Sequence, residues 1–528
     1  MKKISTIPFV NIESIPTLIK DFLSYQIPGF EQDTFSYENI ENRISNKAKS
    51  FSERQRKVLF NALREQHSKS DISEKQEQNI FALEDENSYT VTTGHQLNLF
   101  SGPVFFIYKI LQTIKLAEIL NEKFPQQRIV PIFWMASEDH DFDEINHFKT
   151  ENHYYETKAK SGGAVGKIKI EDQFFISQFE ADFKDSIFGT ELILMLKKAY
   201  QKGNTLAEAT RILVQELFSE YGLLILDGDD AHLKAELKEV FKGELVNQNL
   251  FNSTKETVLQ LTETYGKVQV NPREINLFYL SKTRNRIEFR NGLYRIVDTD
   301  ISFSQNEILQ ELENHPEKFS PNALMRPVYQ ETVLPNLAYI GGNAEIMYWL
   351  ELKNYFKTIS LDFPILIPRN SVLFVKEKAL RKADSFNLSI EDFFKNFAEV
   401  TKDLLLSDNQ TLKLINENEV LLENHFNEIS AAAASTDKSF GNLVQAEKTR
   451  QLKSFNRMRK RLLHAEKIKQ NEKLQRLENL FLQIHPGKTW QERTINFSEF
   501  YSDFGGEWIQ QCYKEMDVEK SELIIFSI

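Results

Sequence analysis

The feature that most limits the fold is a unit that recurs five times. Each unit is a short apolar run, a polar or glycine-containing corner, and then a helical pattern. The first is "SYTVTTGHQ", whose corner holds Gly94, His95 and Gln96. "RIVPIFWMASEDHD" carries a strand through Met135 into Glu138, Asp139, His140 and Asp141. "YGLLILDGDD" runs through Leu226 into Asp227, Gly228 and Asp229, and "NLAYIGGNAE" through Ile340 into Gly341, Gly342, Asn343 and Glu345. "FPILIPRNSV" ends at Ile367 and turns at Pro368, Arg369 and Asn370. Apolar runs alternating with helical patterns predict an α/β fold, a doubly wound parallel sheet covered by helices on both faces. Right-handed crossovers then bring all five corners to one edge of the sheet, where ligands of such folds bind.

At 528 residues the chain is too long for one ordinary core. A core over 1–374 is expected, opening with a mostly helical, polar stretch through about residue 85. Two lobes are inserted, at about 150–222 and 265–318. The first begins with the loop "SGGAVGKIKI" and continues as helices; the second, "LFYLSKTRNRIEFRNGLYRIVDTD", reads as antiparallel β turning at Arg290–Gly292. From about 375 glycine nearly vanishes and charge density rises. Leu422, Phe426, Ile429 and Ala433, then Phe455, Met458, Leu462 and Ala465, then Leu474, Leu477, Phe481 and Ile484, recur at spacings of three and four. That pattern predicts an α-helical antiparallel coiled-coil arm over 375–485, turning near "STDKSFGN" and interrupted between Ala465 and Leu474. Such an arm commonly dimerises. Residues 486–528 are expected to pack back on the core.

Composition narrows the function. Hydrophobic residues at 41% and charged residues at 27% describe a soluble globular protein. A net charge of −11 argues against nonspecific nucleic-acid binding, while leaving small anions open to a local arginine cluster. The basic run "RMRKRLLHAEKIK" in the arm reads as a solvated coiled-coil face. The single cysteine, Cys512, excludes an internal disulfide and reads as a buried spectator. No signal peptide and no apolar run near a membrane span of about 20 residues is visible, so a cytoplasmic protein is expected.

The corners supply the candidate chemistry. Ser101 and Pro103 suit the start of a helix whose amino end would point at the first corner and favour phosphate or carboxylate. Gly94 would let a ligand approach the backbone, with His95 and Gln96 as donors for charge developing on an oxygen. "SEDHD" suits binding an ammonium group, acting as general base, or holding Mg²⁺; EF-hand and zinc spacings both fail. Gly341 and Gly342 form a potential cradle, and Glu345 follows them. Neither a GxGxxG fingerprint nor a P-loop is present. Arg326 and Gln330 fall four apart on one helical face, and Arg326 and Arg369 are the candidates for gripping a carboxylate or phosphate. "WQER", Trp490 to Arg493, either lines a second ligand pocket or merely packs the arm against the core.

"TTGHQLNLFSGPVFFIYKILQTIKLA", "PIFWMASEDHDFDEINH", "SPNALMRPVYQETVLPNLAYIGGNAEIMYW", "LLHAEKIK" and "WQERTINFSEFY" together resemble the bacillithiol-biosynthesis cysteine-adding family, BshC, in order over nearly the whole chain. The resemblance implies a Rossmann-like core with connecting insertions, an α-helical coiled-coil domain and a homodimer. It implies a ligase that adds L-cysteine to glucosaminyl malate. The core is also similar to class I aminoacyl-tRNA synthetases, with "TGHQ" where their HIGH motif falls, but it lacks the second histidine and a KMSKS loop.

The expected reaction is amide formation with ATP or another nucleotide activating cysteine's carboxylate. His95 and Gln96 would stabilise phosphate or the oxyanion. Glu138, Asp139 and His140 would bind an ammonium or take the amine's proton. Arg326 and Arg369 would hold the malyl carboxylates, with Gly94, Asp141, Gln330, Gly341, Gly342, Glu345 and Asn370 completing the substrate site. The alternative is a non-catalytic dimeric module that binds a nucleotide or thiol metabolite.

Overall fold

Five mostly apolar stretches form the central sheet of a computed structural model that describes residues 1–159 and 162–528. Ser161, first residue of the "SGGAVGKIKI" loop, lies outside the described residues, as does Lys160. The strands are β1 (Ser88–His95), β2 (Arg128–Met135), β3 (Leu224–Asp227), β4 (Asn336–Gly341) and β5 (Ile365–Pro368). All neighbouring pairs are parallel, in the order β5-β4-β1-β2-β3. Nearly every residue of these strands is buried, because helices cover both faces. One such helix, α1 (Phe105–Lys123), leaves β1 and is buried on almost all sides through Leu120. Strand order reverses at β1, since β2 and β3 lie to one side and β4 and β5 to the other. Gly94 pairs with Trp134, His95 with Met135, Met135 with Asp227, and Gly341 with Pro368, so the carboxyl ends share one rim.

The long connection from β3 to β4 contains a second sheet of antiparallel strands, among them Leu277–Leu280, Arg284–Arg290 and Leu293–Ile296. Its hairpin turns at Asn291 and Gly292, both with positive φ, the backbone a two-residue turn requires. The mostly helical opening stretch proves to begin with a strand. Lys2–Pro8 pairs antiparallel with Glu522–Ser527, which also pairs with Ser371–Val375. That pairing joins the two ends of the chain, so no local pattern announces it.

Residues 1–11, 15–374 and 489–528 form one compact unit, and residues 12–14 and 375–488 another. The second unit holds α4 (Gln410–Ala433), α5 (Lys438–Lys469) and α6 (Asn471–Ile484). Asn409 bonds Glu466 at 3.2 Å, Arg459 bonds Asn416 at 3.0 Å and Lys448 bonds Asn427 at 2.7 Å, the descending register of an antiparallel hairpin. Asp437 caps α5 by accepting from Ser439 and Phe440. The break between Ala465 and Leu474 falls at Gln470. One detail differs from the expected seam: Ile429, Met458 and Ala465 are exposed. The narrow seam of a two-helix hairpin is filled at those levels by Ser430 and by Arg459 and Glu466, whose polar ends reach across or along the pair.

Candidate functional site

A cavity of about 650 Å³ opens over the rim of the sheet. The β1 corner lines it with Gly94, His95 and Gln96, the β2 corner with Glu138, Asp139 and Glu144, the β4 corner with Gly342 and Glu345, and the β5 corner with Arg369. This is the switch point of the strand order, where the two neighbouring loops diverge and leave room for a ligand. Arg326, from α2 (Met325–Val333), joins them, as do Arg284 and Phe278 from the antiparallel sheet. The β3 corner does not line the cavity. It stands one contact behind: buried Lys234 bridges Asp229 at 2.8 Å and Glu138 at 2.6 Å, and Lys167 closes on Asp229 at 2.6 Å.

Several candidates have duties that keep them from a ligand. His140 and Asp141 do not reach the cavity. His140 Nδ1 accepts from Arg284 at 2.9 Å, and Asp141 caps the short helix Phe142–Ile145. Gln330 is fully buried, accepting from Arg326 at 2.9 Å and donating to Glu331. Asn370 is buried and bonds Gln112, Lys520 and Asp517. Gly341 is within the sheet, its carbonyl accepting from Arg369.

The glycines serve the chain itself more than a ligand. A Cβ on Gly94 would stand 3.4 Å from Arg326 and 3.5 Å from the Tyr339 hydroxyl, so the missing side chain makes room for the guanidinium. The Gly342 amide donates to the Glu345 carboxylate at 2.8 Å, which fills the cradle with the protein's own anion. Ser101 does not cap α1. It has φ 67, and the helix starts after Val104 with its Phe106 and Ile107 amides already bonded to Pro103 and Val104 carbonyls.

Electrostatics sort the remaining groups. Burial, followed by the nearby Lys109 charge, pulls His95 down to about 3, so its imidazole is neutral at physiological pH. Its Nε2 is buried without a partner, and its ring packs against Phe105 and Phe106. Burial works to raise Asp139, but hydrogen bonds from His140 and Gln96 and the Arg284 charge outweigh it and hold the carboxyl well below its usual range. Glu138 goes the other way: burial raises it, opposed by Lys234. Glu345 sits at about 2, burial being overcome by Lys109, whose Nζ lies 2.5 Å away and also donates to the Gly94 carbonyl at 2.8 Å.

The arginines divide into two sets. Arg369 is already gripped in a buried bidentate pair by Glu492, at 2.6 and 2.9 Å, and lies over the Phe105 ring. Its expected role as a free carboxylate clamp therefore passes to others. Arg326 has only neutral partners, Gln330, Tyr339 and Tyr348. Arg273 and Arg493 line the cavity, and among the described residues neither forms an ion pair. "WQER" thus lines this same cavity through Arg493, while Glu492 and Gln491 anchor it to the backbone at Val372 and Phe374. The residues missed from sequence are Lys109, Lys234, Arg273 and Arg284. Lys109 left one trace, a lone charge inside the apolar helix "FFIYKILQTI". Among the described residues, His, Cys, Asp and Glu side chains nowhere gather in threes as metal ligands. Cys512 is buried in the hydrophobic core. No helix among the described residues is long and apolar enough to cross a membrane.

A doubly wound sheet with a charged cavity at its switch point, in a chain that also carries a helical hairpin arm, defines a Rossmann-like α/β protein with a coiled-coil domain. Residues 7–370 match the family domain described as "Bacillithiol biosynthesis BshC, N-terminal Rossmann-like domain", and residues 372–528 match "Bacillithiol biosynthesis BshC, C-terminal coiled-coil domain". The chain belongs to the BshC family. A protein of Flavobacterium johnsoniae named "Putative cysteine ligase BshC" is 44% identical over 502 residues, 93% of each chain. One of the same name from Christiangramia forsetii is 39% identical over 522 residues, covering 97% of this chain and 96% of its own.

Proposed function

We propose that this protein is a cysteine ligase of bacillithiol biosynthesis, joining the carboxylate of L-cysteine to the amino group of glucosaminyl malate. The observation that carries the reading is the pair of unlike sets at one cavity: guanidinium groups without carboxylate partners, facing carboxylates held at the β2 corner. A chain of net charge −11 has spent local positive charge where an anionic substrate would need it. Arg326, which burial works to lower, is kept cationic by the Tyr339 and Tyr348 hydroxyls it bonds and by the nearby Glu345 charge, and would hold a malyl carboxylate. Asp139, ionised and on the rim, would hold an ammonium group. Glu138, whose affinity for a proton burial increases, is the better placed to accept one from the amine. Neutral His95 would offer a ring N–H to the oxygen on which charge develops.

Amide formation from a free carboxylate releases water and needs an activated acyl group. A nucleotide would supply that leaving group. The backbone cradles of the β1 and β4 corners are taken, so side-chain donors, Arg493 foremost, would hold its phosphates. A magnesium ion would enter with those phosphates, since Mg²⁺ is held largely by substrate oxygens and water. The protein is proposed to act in the cytoplasm as a homodimer through the arm, whose outward Leu414, Val420, Leu421 and Leu443 are exposed.

The test is an assay of purified enzyme with glucosaminyl malate, cysteine and ATP. Thiol product that falls about 10²- to 10³-fold in kcat/KM with Arg326→Ala is expected, from the loss of a buried charge contact. No product with any nucleotide rejects the ligase. Unaltered thiol pools in cells carrying His95→Ala and Asp139→Asn, with ligand binding lost, would favour a sensor instead.

A further inference from the structure

The loop between residues 266 and 277 carries Val270 and Arg273 into the cavity lining, yet it has no regular secondary structure. It is fixed at two points. Glu351, fully buried just after α3 (Asn343–Leu350), accepts from the Gln269 amide at 3.2 Å and the Val270 amide at 3.3 Å. The second point is Asn276. Its side-chain oxygen accepts from the Arg273 amide at 3.1 Å and from the Asn322 side chain at 2.8 Å. The Asn322 carbonyl in turn accepts from the Arg326 amide at 2.9 Å. Two asparagines therefore tie the backbones of Arg273 and Arg326 together. Both guanidinium groups line the cavity, and among the described residues neither bonds a carboxylate directly.

Two coupled guanidinium groups with no direct carboxylate contact suit a ligand with two carboxylates on one short carbon frame. We infer that Arg273 is the second half of a dicarboxylate clamp, taking the malyl carboxylate that lactate lacks while Arg326 takes the one beside the oxygen-bearing carbon, and that Glu351 is the positioning residue that holds the Arg273 loop in place. The inference rests on the proposed substrate. Glu351 is buried and both loop amides meet one of its oxygens; burial pushes the group up to about 8, against the lowering effect of those two amides.

The experiment compares glucosaminyl malate with an analogue bearing lactate in place of malate, which lacks one carboxylate. Wild-type enzyme should show a KM about 10-fold lower for the malate compound, the size of one guanidinium–carboxylate contact at about 1.4 kcal/mol. Arg273→Ala should handle both compounds alike, with KM for cysteine and kcat little changed. Glu351→Met, which keeps the volume and removes the acceptor, should copy Arg273→Ala, and the double variant should be no worse than either single one. Glu351→Gln, which keeps an acceptor oxygen, should restore discrimination. Slow hydrogen exchange at the Gln269 and Val270 amides of the wild-type chain checks the anchor without a variant; exchange at open-loop rates removes it. If wild type makes thiol and Arg273→Ala still tells the two compounds apart, the clamp is wrong. If wild type makes none, the ligase reading fails first.

Discussion

Compare two ion pairs of the same chemistry, Arg369 with Glu492 at the cavity and Arg459 with Glu419 in the arm. The first pair is 3% and 1% exposed, the second 28% and 23%. In the core, both charges have left water, and most of their hydrogen-bonding capacity must be met by protein partners. Glu492 is accordingly surrounded, by Arg369, Ser371 and the Val372 amide. In the arm, water can replace either partner at small cost. One geometry thus fixes the shape of a binding site, and the other only decorates a helix pair.

The largest effect should follow from breaking the buried pair. Glu492→Ala leaves the Arg369 guanidinium buried without its counter-charge and is expected to lower unfolding stability by about 3–5 kcal/mol in a denaturant titration. It also frees the segment that presents Arg493. A change below about 1 kcal/mol would mean that the core pair behaves like the arm pair and that burial is not the distinction.

How much of this contrast was legible in the sequence follows from its physics. Parallel strands buried on both faces read as nearly unbroken apolar runs, so all five strands of the sheet could be located and their corners placed on one rim. The arm was legible for a similar reason, because a seam repeats. What stayed hidden depended on partners distant in sequence. Arg284 stands among other arginines and lysines in "SKTRNRIEF", and nothing local marks it as the one that faces His140. Gly94 and Gly342 were read as openings for a ligand, since a glycine at a corner gives the same signal whether the space admits substrate or the protein's own Arg326 and Glu345. Arg369 was read as free because its counter-ion comes more than a hundred residues later.

A second property of the cavity region concerns pH. His95 titrates at about 3 in the fold against an ordinary value near 6.5. The unfolded chain therefore binds the extra proton first, so this residue's contribution to stability is full above about 6.5 and is lost progressively as pH falls toward 3. His95→Gln should make the unfolding free energy less acid-sensitive, by about 1–3 kcal/mol between pH 6.5 and 4. An unchanged pH profile would show that the imidazole is not held neutral, and with it the role proposed for its ring N–H would fall.

The smallest effect is expected in the arm. Arg459 reaches Glu419, Asn416 and Asn456, which on a drawing matches the crowding around Arg369. Yet the pair is partly solvated, salt screens it, and holding a long side chain in one geometry costs rotamer entropy. Arg459→Ala should therefore change unfolding stability by only about 0.2–1 kcal/mol, less at high salt, and leave turnover intact. The hairpin keeps its seam through Val444, Phe426 and Leu462 whether or not that arginine is present. A loss as large as that of Glu492→Ala would mean that the arm face around Arg459 is itself buried in the working protein, as it would be if the subunits pair along that surface.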